Sequence, residues 1–344
     1  MGYNPLVGLL YHWIGGLASA TCYLPCRRLK KWAWEVYWLV QGVASWLIAP
    51  LLIGLIVIPD GLLLLRTTTL HTVSLVYKWG ALWGFGALTF GLSVCYLGVA
   101  FGYVITLGLC TAFGTLMPPL FSGELGVIIF TVSGKVILLG VATCVAGIAL
   151  SGVAGVMREH ELDDTEKKAI AKDFNFGRGV AVAVFFGVMS SCFAYGIASG
   201  KLLTAATRLV LLSHGKLDLW QGVPALTLVM LGGFSTNIIW CFYMLFRNCT
   251  ISELWGNDKA SEAKENNGGA QTVPLLRNYV LSIGGGILWY FQYFFYTMVK
   301  REWETMSFQV SRCIWRASLF SLHDGVFHSK SGKGPASEPM QCSI

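Results

Sequence analysis

The stretch GVPALTLVMLGGFSTNIIWCFYMLF, residues 222–246, contains no Asp, Glu, Lys, Arg or His. An α-helix rises about 1.5 Å per residue, so about 20 mostly apolar residues cross the hydrocarbon of a bilayer. This run is long enough to do so and offers no polar face to water. Seven more long, mostly apolar runs accompany it, at about 5–26, 37–58, 72–94, 96–117, 135–156, 178–199 and 277–298. Across all 344 residues, 55% are hydrophobic and 12% charged, so a soluble fold would lack the polar residues to cover its surface. The pattern predicts an all-α polytopic membrane protein with eight visible transmembrane helices. A transmembrane barrel would show short alternating strands instead.

The formal net charge is +7, but the basic residues sit in loops between apolar runs rather than on one face, which excludes a nucleic-acid partner. Loop one carries Arg27, Arg28, Lys30 and Lys31; loop five Arg158, Lys167, Lys168 and Lys172; loop seven Arg247, Lys259, Lys264 and Arg277. These odd loops are richer in Lys and Arg than the even ones, which places the N-terminus outside and the odd loops in the cytoplasm. The tail after the eighth run, with Lys300, Arg301, Arg312, Arg316, Lys330 and Lys333, then falls on the wrong side of the rule. The apolar run from Pro5 to Pro25 is too long for a signal-peptide core and lacks a basic region before it, so it reads as the first span. The 10 cysteines are scattered without CxxC spacing and read as small buried residues.

A weak internal repeat relates GLASATCYLP (16–25) to GVMSSCFAYG (187–196), and GALWGFGALTFG (80–91) to GILWYFQYFFYT (286–297). Span one then pairs with span six and span three with span eight. Five crossings are an odd number, so the halves would have opposite orientation, as in the inverted repeats of secondary transporters. The resulting division is a first five-helix repeat at 1–156, a cytoplasmic loop at 157–177, a second repeat at 178–298 showing three of five helices, and a tail at 299–344. A complete pair of repeats has ten helices.

His12 lies within span one, and an ionisable residue at membrane depth is costly, about 3 kcal/mol for a charge at the helix centre. It reads either as a proton-coupling or substrate-binding residue or as a neutral imidazole bonded to a neighbouring helix. Glu35, where span two enters the membrane, reads as a gate and proton-coupling residue or as an acid favoured by the helix dipole. Trp289, Tyr290, Gln292 and Tyr296 cluster on span eight, Asn237 follows Ser235 and Thr236 in span seven, and Trp83 occupies the repeat-equivalent place in span three. Aromatic faces stack on the apolar face of a sugar ring, and amides bond vicinal hydroxyls. The alternative is an interfacial aromatic belt with interhelical amide bonds. No phosphate loop, zinc spacing, nucleophile elbow or intramembrane acid pair is present, so the sequence calls for no metal or cofactor and gives an enzyme little to stand on.

The segments YHWIGGLASATCYLP, KKWAWE, WGFGALTFGLSVCYLG, FGTLMPPL and GGGILWYFQYFFYTM, in this order over residues 8–298, resemble the L-rhamnose/proton symporter family of the drug/metabolite transporter superfamily. The resemblance implies a ten-helix transporter of the bacterial inner membrane that imports L-rhamnose or a related deoxyhexose with a proton. His12, Lys31, Trp32, Trp34, Glu35, Trp83, Gly84, Gly86, Tyr96, Leu97, Gly98, Trp289, Tyr290 and Gln292 match the family's residue types. Ala87 stands where the family often has asparagine, and Cys95 where it often has arginine; loss of a pocket amide bears on which sugar is bound. The alternatives are a truncated relic or sugar sensor that never cycles, and a metabolite exporter of the same superfamily.

In the family the eighth span leads into a short loop and two further spans. Codons for Lys300–Arg316 can be chosen so that the frame displaced by two bases reads ARMGNYEFSSFTLHMA, a loop of that kind; Trp303 followed by Glu304 forces its glycine. The expectation is a frame change near residues 298–300, which leaves 299–344 as a non-family tail without a selected fold.

Overall fold

The computed structural model describes residues 5–123, 125–161, 175–256 and 273–302; among these the backbone is helical, with no strand. Helix α1 spans Pro5–Thr21, α2 Trp34–Val57, α3 Gly61–Thr67 and α4 Leu70–Ser122. After these come α5 Leu125–Phe130, α6 Val132–Glu161, α7 Phe176–Ser199, α8 Lys201–Ser213, α9 Val223–Arg247 and α10 Leu275–Glu302. Among the described residues, four helical segments are long and apolar enough to cross a membrane, Trp34–Val57, Gly134–Ala154, Phe176–Ser199 and Asp218–Arg247; Leu6–Thr21 and Val104–Met117 are shorter apolar helices. The architecture is that of an all-helical polytopic protein.

Helix α4 holds both of the runs expected at 72–94 and 96–117, with no non-helical residue between them. In a straight helix Ser93 and Thr106 would lie about 20 Å apart, yet their hydroxyls are 2.8 Å apart. The chain therefore doubles back between them, where Gly98 and Gly102 stand. Both legs rest on α7. The first leg runs antiparallel to it, with Leu97 beside Gly179 and Trp79 beside Gly196. The second leg meets the same helix where Leu109 and Phe113 abut Gly187.

Small residues allow the closest crossing. Gly80 and Gly84 on α4, at GxxxG spacing, face Gly232 and Gly233 on α9. A Cβ on Gly80 would sit 2.8 Å from Val229 Cα, and one on Gly232 would sit 2.7 Å from the Ala81 nitrogen. Backbone cannot yield as a side chain does, so only glycine fits there. On the other side of the molecule α1 lies antiparallel on α10: Tyr11 stacks on Phe295 at 6.1 Å, and the Cys22 carbonyl approaches Gly285.

The buried core joins α2, α4, α7, α9 and α10 through Trp38, Trp46, Trp83, Phe193, Val229, Met230 and Tyr290. The outer faces are apolar as well, with Leu6, Leu10, Trp13 and Leu17 exposed on α1, and Val136, Leu139 and Val153 on α6. Such surfaces suit hydrocarbon rather than water. Helix α8 buries Leu203, Thr207 and Leu211 while exposing Leu202, Leu209 and Leu212. Arg208 at its centre pairs with Asp218 at 3.3 Å.

Candidate functional site

Helix α2 contributes the centre of the site through a local irregularity. Residues Val43–Ile48 form a π-turn, followed by Pro50, which has no N–H to return to the preceding turn. In an ideal α-helix Trp46 would point about 80° away from Trp38. The wider π-turn makes the following residues lag, which brings Trp46 round toward the face of Trp38; the rings meet edge to face at 6.0 Å. Trp38 also meets Trp289 at 6.1 Å and stacks on Trp34 at 5.1 Å. Trp46 meets Trp83 at 6.1 Å, and Tyr293 lies 5.3 Å from Trp83 and 6.3 Å from Trp289. Phe193 from α7 closes the cluster at 4.9 Å from Tyr293 and 5.8 Å from Tyr296. Trp83 and Trp289, which the sequence comparison of spans three and eight set in corresponding places, thus flank one aromatic box, with α2 between them.

Polar groups in and around this box fall into two sets. Asn237 is spent on structure: its Oδ1 accepts from Trp38 Nε1 at 3.1 Å, and its Nδ2 donates to the carbonyls of Gly84 at 3.1 Å and Gly233 at 2.8 Å. Asn237, expected from sequence to bind ligand, therefore holds the Trp38 ring in place. In contrast, Gln41 Oε1, Trp46 Nε1 and Trp289 Nε1 are shut off from solvent with no hydrogen-bond partner among the described residues, as are Ser282 Oγ, Tyr290 Oη and Gln292 Nε2 elsewhere on α10. A stranded buried group costs about 1–3 kcal/mol, so this concentration of them is itself a finding.

His12 is fully buried on α1. Tyr11 against Phe295 sets the register of α1 on α10, and this places His12 at the level of the turn carrying Gln292 and Tyr296. Gln292 and Tyr296, four apart, share one face of α10, and Tyr296 meets the box through Phe193. Tyr290 lies elsewhere: its ring is 5.8 Å from Phe294, which stacks on Trp220 at 5.6 Å. One residue on from Trp289 is a rotation of about 100° on a helix, enough to turn Tyr290 away from the box.

Glu35 lies at one end of the molecule, 2% exposed. Its Oε1 accepts from Asn248 Nδ2 at 2.9 Å and from Thr250 Oγ1 at 2.8 Å. Around it, Glu253 Oε2 accepts from the Ala33 amide at 2.6 Å, and Trp32 Nε1 donates to the Glu253 carbonyl at 3.1 Å. Asn278 grips the Lys30 backbone, donating to its carbonyl at 2.8 Å and accepting from its amide at 3.4 Å. Tyr279 donates to the Leu254 carbonyl at 2.7 Å. This polar lock joins loop one, the turn after α9 and the start of α10. Lys31 within it adopts a left-handed φ of 57°, a conformation uncommon outside glycine.

Trp38, Trp46, Gln41 and Glu253 did not stand out in the sequence. Trp38 and Trp46 are eight apart, a spacing that puts them on different faces of a regular helix, and no local signal announces the π-turn. Gln41 is the one amide in the run 37–58, which was the available hint. Among the described residues no group of His, Cys, Asp or Glu could hold a metal ion.

Long apolar helices with lipid-compatible outer faces and buried amides, indoles and carboxylate between them define a multi-pass helical membrane protein. Its residues 1–328 match the family model described as L-rhamnose-proton symport protein, and the chain belongs to that family. It is 34% identical over 291 residues to an L-rhamnose-proton symporter of Cronobacter sakazakii, covering 84% of this chain and 78% of the relative. It is 33% identical over 315 residues to one from an Enterobacter species, covering 90% and 86%, and 30% identical over 310 residues to one from Yersinia pestis, covering 89% and 84%. No solved structure matches the chain.

Proposed function

We propose that this protein is a secondary active transporter of the bacterial inner membrane, a symporter that brings in L-rhamnose or a related deoxyhexose together with a proton. The observation that carries the reading is the aromatic box of a chain in this family, bordered by buried hydrogen-bonding groups that have no partner among the described residues. Indole faces suit the apolar face and methyl of a deoxyhexose; unsatisfied donors and acceptors suit its hydroxyls.

In this reading the chain crosses the bilayer eight times among its described residues, as part of two inverted five-helix halves. The pairing of α1 on α10 and of α7 on the first leg of α4, each antiparallel, is what an exchange of span one with six and three with eight requires. The lock around Glu35 adjoins the basic residues of loop one, so the positive-inside count makes it the cytoplasmic end and puts the N-terminus outside. Alternating access follows if the lock opens when the halves rock, exposing the box to the cytoplasm. His12, at the level of Gln292, and Glu35, within the lock, are the groups through which proton binding alters sugar affinity or the inward–outward equilibrium.

Uptake of labelled sugar into proteoliposomes under an imposed pH gradient tests the proposal. Accumulation of L-rhamnose above the outside concentration, abolished by a protonophore, is expected. Equilibration without accumulation would remove the proton from the mechanism, and net efflux against a gradient would favour an exporter.

A further inference from the structure

We infer that Gln41, acting with the indole N–H groups of Trp46 and Trp289, is the specificity-determining contact that reads the hydroxyl arrangement of the sugar; the inference rests on the proposed sugar transport. Trp34, Trp38, Gln41 and Ser45 fall at i, i+4, i+7 and i+11 and so share one stripe of α2. Opposite that stripe runs Ser282, Gly286, Trp289 and Tyr293 of α10. The helices touch at the notch of Gly286, where an added Cβ would be 2.6 Å from the Gln41 carbonyl and 2.9 Å from Ala44 Cβ. Gln41 thus stands at the crossing, one turn from Trp38 and level with the turn leading to Trp289. Its side chain is buried, and Oε1 has no hydrogen-bond partner among the described residues.

The chemistry of the three groups is complementary. Gln41 Oε1 is an acceptor, and the two indole nitrogens are donors only. A sugar hydroxyl both donates and accepts, so a pair of hydroxyls held against the Trp38 and Trp289 rings can satisfy all three. An indole presents one fixed donor direction and an amide a fixed fork, so inverting one hydroxyl leaves a buried group unpaired. Rejection of an analogue that cannot pair such groups is stronger than rejection by shape alone. Asn237, by fixing Trp38, keeps the surface against which these groups are aimed.

A structural role for Gln41 makes the opposite prediction from a binding role. An unpaired buried acceptor replaced by an apolar side chain of like size leaves stability unchanged or improved, whereas sugar recognition suffers. The experiment is equilibrium binding of L-rhamnose and of hexoses differing at single hydroxyls, read by intrinsic tryptophan fluorescence of the detergent-purified full chain, together with its thermal midpoint. Gln41→Leu should keep or raise the midpoint, weaken L-rhamnose binding about 10-fold and flatten the ranking among epimers. Gln41→Glu, which keeps the acceptor oxygen and length, should recover part of the affinity and the ranking. Unchanged affinity and ranking in Gln41→Leu, with wild-type binding intact, would overturn the assignment of Gln41 alone. Absence of sugar binding by the wild-type chain would overturn the transport reading and this inference with it.

Discussion

Replacing Asn237 with leucine tests whether this amide holds the box together. The side chain is 2% exposed and links three helices: it takes the N–H of Trp38 on α2, and it donates to Gly84 on α4 and to Gly233 within α9. Interhelical hydrogen bonds in membranes average about 0.6 kcal/mol, which is the expected value of the Gly84 contact, since that carbonyl keeps its helical bonding environment. Trp38 Nε1 has no substitute acceptor in a leucine, and stranding it costs about 1–3 kcal/mol. The sum is about 1.6–3.6 kcal/mol at nearly constant volume. Unfolding in mixed micelles should show that loss, and L-rhamnose half-saturation should rise, because Trp38 is no longer held against Trp289. A double-mutant cycle with Trp38→Phe isolates the bond and should give a coupling of about 0.6–1.7 kcal/mol. A stability loss below about 0.5 kcal/mol, with additive single mutants, would refute the reasoning.

Four further outcomes are expected. Gly80→Val drives a branched side chain into the backbone of α9 at Val229, so folded protein in the membrane should fall severely, while Gly284→Ala, with nothing near its Cβ, should express normally; gel-filtration yield measures both. His12→Ala should abolish proton-driven accumulation, and unchanged accumulation would take His12 out of the mechanism. Glu35→Gln keeps an acceptor for Asn248 and Thr250; sugar counterflow should persist while accumulation driven by a pH gradient falls, and equal accumulation would leave Glu35 as a structural acceptor only. Reading the coding DNA from codon 290 in all three frames should reveal LHM and two apolar runs in a displaced frame; their absence, with the family match continuing to residue 328, would return residues 299–328 to the family and dismiss the frame change.

Residues 303–344 lie outside those the structure describes, as does most of loop seven, so the reading of that tail stands on the sequence alone. Within the described part, Trp83 and Trp289, singled out in the sequence, do come to one aromatic cluster through Trp46, Trp38 and Tyr293. Tyr290 and Asn237 illustrate the limit of such reasoning. Their residue types suit a sugar, but Tyr290 turns toward Phe294 and Trp220, and Asn237 spends both amide atoms on protein partners. Neither outcome can be read locally, because rotation about a helix axis and the identity of a partner 199 residues away are set by packing.

What the sequence determined by itself is the class of the molecule. Uncharged runs such as 222–246 can be neither surface nor loop in water, and the Lys and Arg distribution follows from the cost of moving charge through hydrocarbon. That glycines 80 and 84 meet glycines 232 and 233 was not legible in the sequence. The two runs expected at 72–94 and 96–117 already implied a reversal between them; tertiary structure alone decided that helical residues continue through it, as the Ser93–Thr106 contact shows. It also decided the π-turn that gathers Trp38 and Trp46, and the lock that gives Glu35 its partners. The physical reason is common to all three. Hydropathy records how strongly each segment prefers the membrane, a property of the segment alone, whereas the direction a side chain faces depends on the helix that packs beside it.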